Sequence, residues 1–440
     1  MTKIDDPHQN GAQTAEVAEA FSRVTTPGER NRAFAILFVS LMCVGAGQSI
    51  LYAILPPISR QLGLSEVQVT AIFAVSAAIW VFSSPFWGRR SDLMGRKPVM
   101  LLGLLAFAVS FGSFATVMLG GLDKWIPLVL VYPLMIFTRS IYGTLGSGTF
   151  VAAEAYVADR TTRAERTRGV ATIAAAFGLG TTAGPGIGSA LVVFGLFAPF
   201  YFISAVAVLS ALAIWYFLPE RTPPKSHRRV ETTLHWYDKR MRPFVIFGVG
   251  LSTVGAIPIQ TVAFFFMDVL HLKANETAQA VGVALMASSM SALFAQLILV
   301  QRFNPSARTL IYGGTFVALA ANIIFIFSHA FGPLVFAMML TGLGFGMARP
   351  GYAASASLSV SPDEQGAVAG VIGATSATGF IVGPVIGWLY EQSPQLPFIA
   401  GAVLMVVLLI YVRLSPTLQT AGMVVPDGLD EKAETQVPSG

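Results

Sequence analysis

Residues 87–100 read W-G-R-R-S-D-L-M-G-R-K-P-V-M, a short charged turn between two apolar runs. Arg89, Arg90, Arg96 and Lys97 surround a single acid, Asp92, and Gly88 and Gly95 bracket it. A connection this basic between hydrophobic segments is held on the cytoplasmic side of a membrane. Its glycines permit a tight backbone and close approach of the flanking helices. If those flanks are membrane spans, the rest of the chain must repeat the pattern, with apolar segments long enough to cross and short basic loops on one side only.

The composition agrees. Of 440 residues, 54% are hydrophobic and 12% charged, whereas a soluble domain carries roughly 25% charged residues. A span needs about 20 apolar residues, and twelve stretches supply them: 33–58, 66–86, 98–119, 126–153, 168–193, 198–218, 244–267, 276–300, 309–329, 332–354, 366–390 and 396–413. Ser65 with Gln68 forms a capping box before the second span, and Asn275 is expected to cap the eighth. The expected organisation is a polar tail at 1–32, a six-helix bundle at 33–218, a basic linker at 219–243, a second bundle at 244–413 and a tail at 414–440. The first 32 residues hold no apolar core, so no cleavable signal peptide is expected.

Charge sets the orientation. Of the 28 lysines and arginines, only Arg60, Lys124 and Lys273 fall on one side, and only Arg139 and Arg349 fall inside spans. All the rest lie in the tails and even-numbered connections, so both termini are expected in the cytoplasm. The formal net charge of +5 is therefore a matter of topology, and no nucleic-acid partner is expected. The single cysteine, Cys43, lies inside a span, which leaves no disulfide and no thiolate metal site. No G-x-x-x-x-G-K-[ST] loop is present, so direct ATP coupling is not expected, and neither is a metal or other cofactor.

The two halves look related. V-G-A recurs at 44–46 and 254–256, and Ser65-Glu66 recurs as Asn275-Glu276, both offset by 210. G-x-x-x-G-P-x-x-G appears at Gly180, Gly184, Pro185 and Gly188 and again at Gly379, Gly383, Pro384 and Gly387, offset by 199. The proline removes a backbone hydrogen bond and predicts a kink. The counterpart of the opening turn, Q-R-F-N-P-S-A-R at 301–308, has lost the acid and both glycines. Paired six-helix halves indicate a transporter with its site between them.

On these motifs the chain resembles the major facilitator superfamily, and within it the twelve-helix drug:proton antiporters. The resemblance covers 33–413. Gly88, Asp92, Gly95, Arg96 and Lys97 match the family pattern G-x-L-a-D-r-x-G-r-k, with Arg90 in place of its leucine. R-S-I-Y-G-T-L-G at 139–146 is similar to R-x-x-q-G-x-g, with Tyr142 in place of glutamine. The proline motif of the fifth span is one associated with exporters. The resemblance implies an all-α membrane protein of two pseudo-symmetric six-helix bundles. It also implies that Asp92 latches the cytoplasmic ends of the halves in one conformation, against the start of the eleventh helix and its N-terminal dipole.

An ionisable residue within a span is costly and marks function by default. Arg139 is expected near the midplane and Arg349 toward the cytoplasmic half. Gln48, Tyr52, Tyr142 and Gln260 join them as mid-depth polar candidates for the cavity, while Gln296 and Asn322 are read as packing. The acids avoid the midplane: Glu154 and Asp268 sit at opposite ends of their spans and are read as gate or proton-carrying groups, with the Asp92–Asp159 region a further candidate. Glu154 and Arg349 are expected to pair across the inner side in the outward-facing state. Two interior arginines without acids also favour an anionic substrate.

The expected function is secondary transport by alternating access, by proton-coupled efflux of small amphipathic compounds. The alternative is an importer or facilitator of an organic anion bound by Arg139 and Arg349. Neither a Ser/His/Asp constellation nor a metal cluster lies at membrane depth, so the chain is not read as an enzyme. The expected setting is a bacterial inner membrane and the expected state a monomer.

Overall fold

In a computed structural model the twelve apolar stretches are twelve transmembrane helices. The structure describes residues 27–161, 163–219, 238, 240–360, 364–415 and 418. Most of the expected tails and of the basic linker lie outside the described residues. The N-terminal half comprises α1 (Pro27–Gln61), α2 (Glu66–Met94), α3 (Arg96–Leu122), α4 (Leu128–Ala158), α5 (Arg163–Leu191) and α6 (Ala198–Phe217). The C-terminal half comprises α7 (Arg242–Leu270), α8 (Ala274–Phe303), α9 (Ala307–Phe327), α10 (Phe331–Leu358), α11 in two pieces (Gln365–Ile381 and Gly383–Gln392) and α12 (Leu396–Leu414). With an even number of crossings, Pro27 and Leu414 lie on one side, here the terminal side.

Local chemistry sets the ends of these helices. The Ser65 hydroxyl accepts from the Gln68 N–H at 3.3 Å and the Gln68 side chain accepts from the Ser65 N–H at 2.9 Å, the reciprocal box the sequence predicts. At α8 the cap lies two residues earlier than expected. Glu276 accepts from the Lys273 N–H at 3.0 Å, and Asn275 sits within the first turn. The Glu276 carboxylate outcompetes the asparagine there because it reaches back to a free N–H and complements the helix dipole.

Close helix crossings are built on glycine, as in membranes, where apolar side chains gain nothing by leaving lipid. A Cβ on Gly180 would meet the Met42 carbonyl oxygen of α1 at 2.0 Å, and one on Gly379 would meet the Ser252 carbonyl of α7 at 2.2 Å. Met42 and Ser252 are 210 residues apart, Gly180 and Gly379 199. These are the offsets of the sequence repeat, so α1–α5 and α7–α11 are the same crossing built twice. The proline that follows is treated differently in the two copies. α5 continues through Pro185, whereas α11 breaks at Val382 and restarts with Pro384 in its first turn.

Candidate functional site

The turn at 87–100 is tied to its own half. Gly95 adopts φ 94°, a conformation that disfavours any Cβ, and lets α2 reverse into α3. A Cβ on Gly88 would make only ordinary contact with Val151, at 3.4 Å. Arg96 pairs with Asp92 at 2.5 Å and with Asp159 at the end of α4 at 3.0 Å, and donates to the Ser91 hydroxyl at 2.6 Å. Lys97 donates to the Trp215 carbonyl at the end of α6 at 2.7 Å. Asp92 itself is 63% exposed and directed to Arg96, not to the start of α11. Among the described residues Asp92 has no hydrogen bond or ion pair to α11.

Trp87 connects this turn to the Arg139 motif. Three residues beyond Arg139, Tyr142–Gly146 form a π-helical segment. Such bulges interrupt the regular backbone hydrogen-bond ladder and recur at functional sites. The Trp87 indole N–H donates to the Thr144 carbonyl, within this segment, at 2.6 Å.

Arg139 lies eleven residues beyond Leu128, roughly 16 Å along α4. It is 4% exposed. Its Nη2 donates to the Gln48 Oε1, while Nε and Nη1 are buried without a partner. The rings of Phe111 and Tyr142 stand 5.5 and 5.1 Å from the guanidinium carbon, within cation–π range. The ring of Tyr52 packs on Phe73 at 5.0 Å and stacks on Phe380 of the other half at 5.7 Å. Gln48, Tyr52, Arg139 and Tyr142 are thus brought into one group by α1 and α4.

Gln260 stands apart from that group. It is buried, and its amide donates to the Gly379 carbonyl at 3.4 Å, tying α7 to α11. Arg349 lies on the side of α10 shared by Phe345 and Tyr352. Those two residues pack on α7, where Cβ atoms on Gly255 and Gly248 would meet Phe345 and Tyr352 at 3.0 and 2.5 Å. The opposite side of α10 carries Phe336 and Met339, exposed where lipid would lie. Arg349 therefore faces the protein interior yet remains exposed, and among the described residues it has no hydrogen-bond or ion-pair partner. Glu154, on the side of α4 shared with Phe150 and Val157, is half-buried and likewise has none among the described residues.

The halves are joined at the end away from the termini. Arg60, at the end of α1, pairs with Glu66 of α2 at 2.6 Å and reaches across to Asp268 of α7, with Nη2 to Oδ2 at 2.8 Å and a second contact from Nη1. The Tyr390 hydroxyl of α11 donates to the same Asp268 oxygen at 2.7 Å. Glu391 accepts from the Val67 N–H at 3.1 Å. Phe264, buried, lies under the cluster with its ring 5.2 Å from the Arg60 guanidinium carbon. Backbones close up beside it. A Cβ on Gly387 would meet the Thr70 hydroxyl at 2.5 Å, and one on Gly282 would meet the Ser189 hydroxyl at 1.9 Å.

The sequence reading missed Arg60, Glu66 and Tyr390. One signal was present: Arg60 is one of only three cations on the side that positive charge avoids. Asp268, expected as a gate or proton group, is occupied by Arg60 and Tyr390 here. Among the described residues no group of three or more His, Cys, Asp or Glu could hold a metal ion.

Comparison with known proteins agrees with this architecture. The model of the Major Facilitator Superfamily matches residues 37–384 and, overlapping, 297–421. Multidrug resistance protein 2 of Bacillus subtilis (strain 168) is 26% identical over 397 residues, covering 86% of this chain and 94% of the relative. The class D tetracycline resistance protein of Salmonella ordonez is 28% identical over 383 residues, covering 83% and 91%. Among solved structures, a bacterial homologue of the human lysosomal transporter Spinster, in an inward-facing and occupied conformation, superposes with a TM-score of 0.69 at 14% identity, covering 88% of this chain and 97% of that one. By its twelve helices in two repeated halves, its motifs and this match along most of its length, the chain belongs to the Major Facilitator Superfamily.

Proposed function

We propose that this chain exports small amphipathic compounds from a bacterial cytoplasm across the inner membrane by alternating access, coupled to proton entry. The observation that carries the reading is one-sided closure. The Arg60–Asp268 cluster and the Gly282 and Gly387 contacts join the halves away from the termini, while Arg349 on the interior side of α10 stays exposed. The basic loops make the terminal side cytoplasmic, so this conformation faces inward, ready to load. The names of the multidrug and tetracycline resistance relatives support export.

Gln48, Tyr52 and Arg349 form the substrate-facing group, backed by the buried Arg139 and Tyr142, and Gln260 holds the α7–α11 crossing beside it. Glu154 is the proton carrier this conformation favours. It is half-buried and without an ion-pair partner among the described residues, whereas Asp268 and Asp159 are engaged by Arg60 and Arg96. In the outward-facing state Glu154 pairs with Arg349 and Asp92 engages α11, exchanging the cluster on one side for contacts on the other. The protein works as a monomer.

A second reading, import or facilitated passage of an organic anion, rests on the two interior arginines. Proteoliposomes carrying an internal pH dye and offered a mixed panel of lipophilic cations, neutral compounds and anions separate the two. Export coupled to protons gives substrate-dependent proton movement in the opposite direction. Substrate flux without proton movement refutes the coupling, and flux only into the cytoplasmic face refutes export.

A further inference from the structure

The charges inside the membrane do not balance. Arg139 is sealed, and among the described residues its Nε and Nη1 have no partner and its one hydrogen-bond acceptor is the neutral Gln48 amide. Arg349 faces the interior with neither a hydrogen bond nor an ion pair among the described residues. The acids of the spans lie at their ends. Glu66 and Asp268 are taken by Arg60, and Glu391 by the Val67 N–H. Asp92 is taken by Arg96 and Glu276 by the Lys273 N–H, so among the described residues the two interior cations face one acid without such a partner, Glu154 on the cytoplasmic portion of α4.

A guanidinium left unpaired at membrane depth is unfavourable unless something in the transport cycle neutralises it. Its planar fork suits an oxyanion, which it binds through parallel charge-assisted bonds. The nearby surfaces are aromatic: Phe345 below Arg349, Tyr142 and Phe111 around Arg139, and the Tyr52–Phe380 stack that closes the interior toward the Arg60 cluster. Tyr142 and Phe111 are buried against Arg139, whereas the partly exposed Phe345, Tyr52 and Phe380 offer apolar ring surface to a cargo and no counter-ion to a cation.

We propose that the transported compound is an organic anion, an oxyacid group on an apolar aromatic body, received by Arg349 and held in the field of the buried Arg139. This deepens the transporter reading and rests on it. An anion also suits export, because an inside-negative potential pushes negative charge outward, worth about 50-fold in accumulation per 100 mV. A chain carrying such a cargo has no use for an acid at the midplane.

The test uses matched triples on naphthalene- and biphenyl-sized bodies: a sulfonate, the corresponding sulfonamide and the corresponding trimethylammonium. Each is assayed for uptake into proteoliposomes holding the full chain and into protein-free vesicles. The sulfonate is expected to move at least ~10-fold faster than its partners on at least one body, as loss of one charge-assisted contact implies. Arg349→Gln is expected to bring that preference to within about two-fold, and Arg349→Lys to keep the order, with both variants checked for monodispersity in detergent. Trimethylammonium compounds moving as fast as sulfonates, or a preference untouched in Arg349→Gln, overturns the anionic cargo and leaves the transporter standing. No compound moving above the protein-free background overturns both.

Discussion

Removing one carboxylate should shift the conformational balance of the whole protein. Among the described residues Asp268 is the one acid of the C-terminal half that grips Arg60, through two contacts, and Tyr390 adds a hydrogen bond at 2.7 Å. Both members of the ion pair are partly exposed, Arg60 to 27% and Asp268 to 29%. An exposed pair contributes about 0.2–1 kcal/mol, and a hydrogen bond to a charged group about 1.5–3 kcal/mol. A half-buried, two-contact pair falls between, at roughly 1–2 kcal/mol. Asp268→Asn keeps one carbonyl oxygen, which can accept from Tyr390 and from Arg60 Nη2, but sets an NH2 donor opposite Arg60 Nη1 and loses the charge. It is expected to lower the inward-facing to outward-facing ratio by about 5- to 30-fold, since 1.4 kcal/mol corresponds to a factor of ten. The native thiol, Cys43, is buried, so Cys43→Ser clears the background for spin labels. Labels at Asp123 and Asn275, exposed and one on each half, report the separation by electron–electron double resonance. Arg60→Gln should act on the same contact, so the double variant should fall short of the sum of the singles by about 1 kcal/mol. Distance distributions unchanged in Asp268→Asn, or strict additivity in the cycle, would refute the reasoning.

The same labels test a steric version of the argument: Gly282→Leu places a side chain where Ser189 and the Pro185 carbonyl of α5 now lie, 1.9 and 2.8 Å from its Cβ. It is expected to hold the far side open and stop turnover while the protein stays folded; wild-type closure in that variant would show that α5 and α8 do not seal it. Glu154→Gln is expected to remove the pH dependence of transport while substrate binding in detergent is kept; vesicles with an undiminished response to an imposed pH gradient would transfer the proton role elsewhere. Arg96→Gln breaks the contacts to Asp92, Asp159 and Ser91 and should destabilise the N-terminal half by about 1–3 kcal/mol, read as a lower midpoint of thermal unfolding in detergent.

What the sequence reveals here follows the reach of each interaction. Spans are properties of single segments, so all twelve are readable from length and apolarity alone. The Ser65–Gln68 box is equally local, three residues wide, and the structure reproduces it. The Arg60 cluster is the opposite case. Its members are 208 and 122 residues apart, and each has an ordinary local explanation: Arg60 as a loop cation, Glu66 as a first-turn acid, Asp268 and Tyr390 as end-of-span polar groups. Only the docking of the halves joins them.

The repeated glycine-proline motif shows where symmetry stops helping. Gly180 and Gly379 do the same job in both halves, each letting a helix touch a backbone carbonyl of its own half. Further along, the copies diverge. Gly184 and Gly188 stay against Ala46 and Ile50 of α1, within the half. Gly383 also meets the Thr70 carbonyl, and Gly387 lies against Thr70 and Glu66, across the interface. α11 breaks between these two roles, at Val382, and α5 does not. Both copies also touch the opposite half, α5 through Pro185 and Ser189 against Gly282 of α8, and α11 through Gly383 and Gly387 against α2. What differs is the part of the motif that does so, since only in α11 do the later glycines themselves cross the interface. The motif is therefore one sequence pattern in two settings: in the unbroken α5 its glycines line a crossing within the half, and in α11 the piece after the break, Gly383–Gln392, bears Tyr390 and Glu391 and ties the Arg60 cluster to the opposite half.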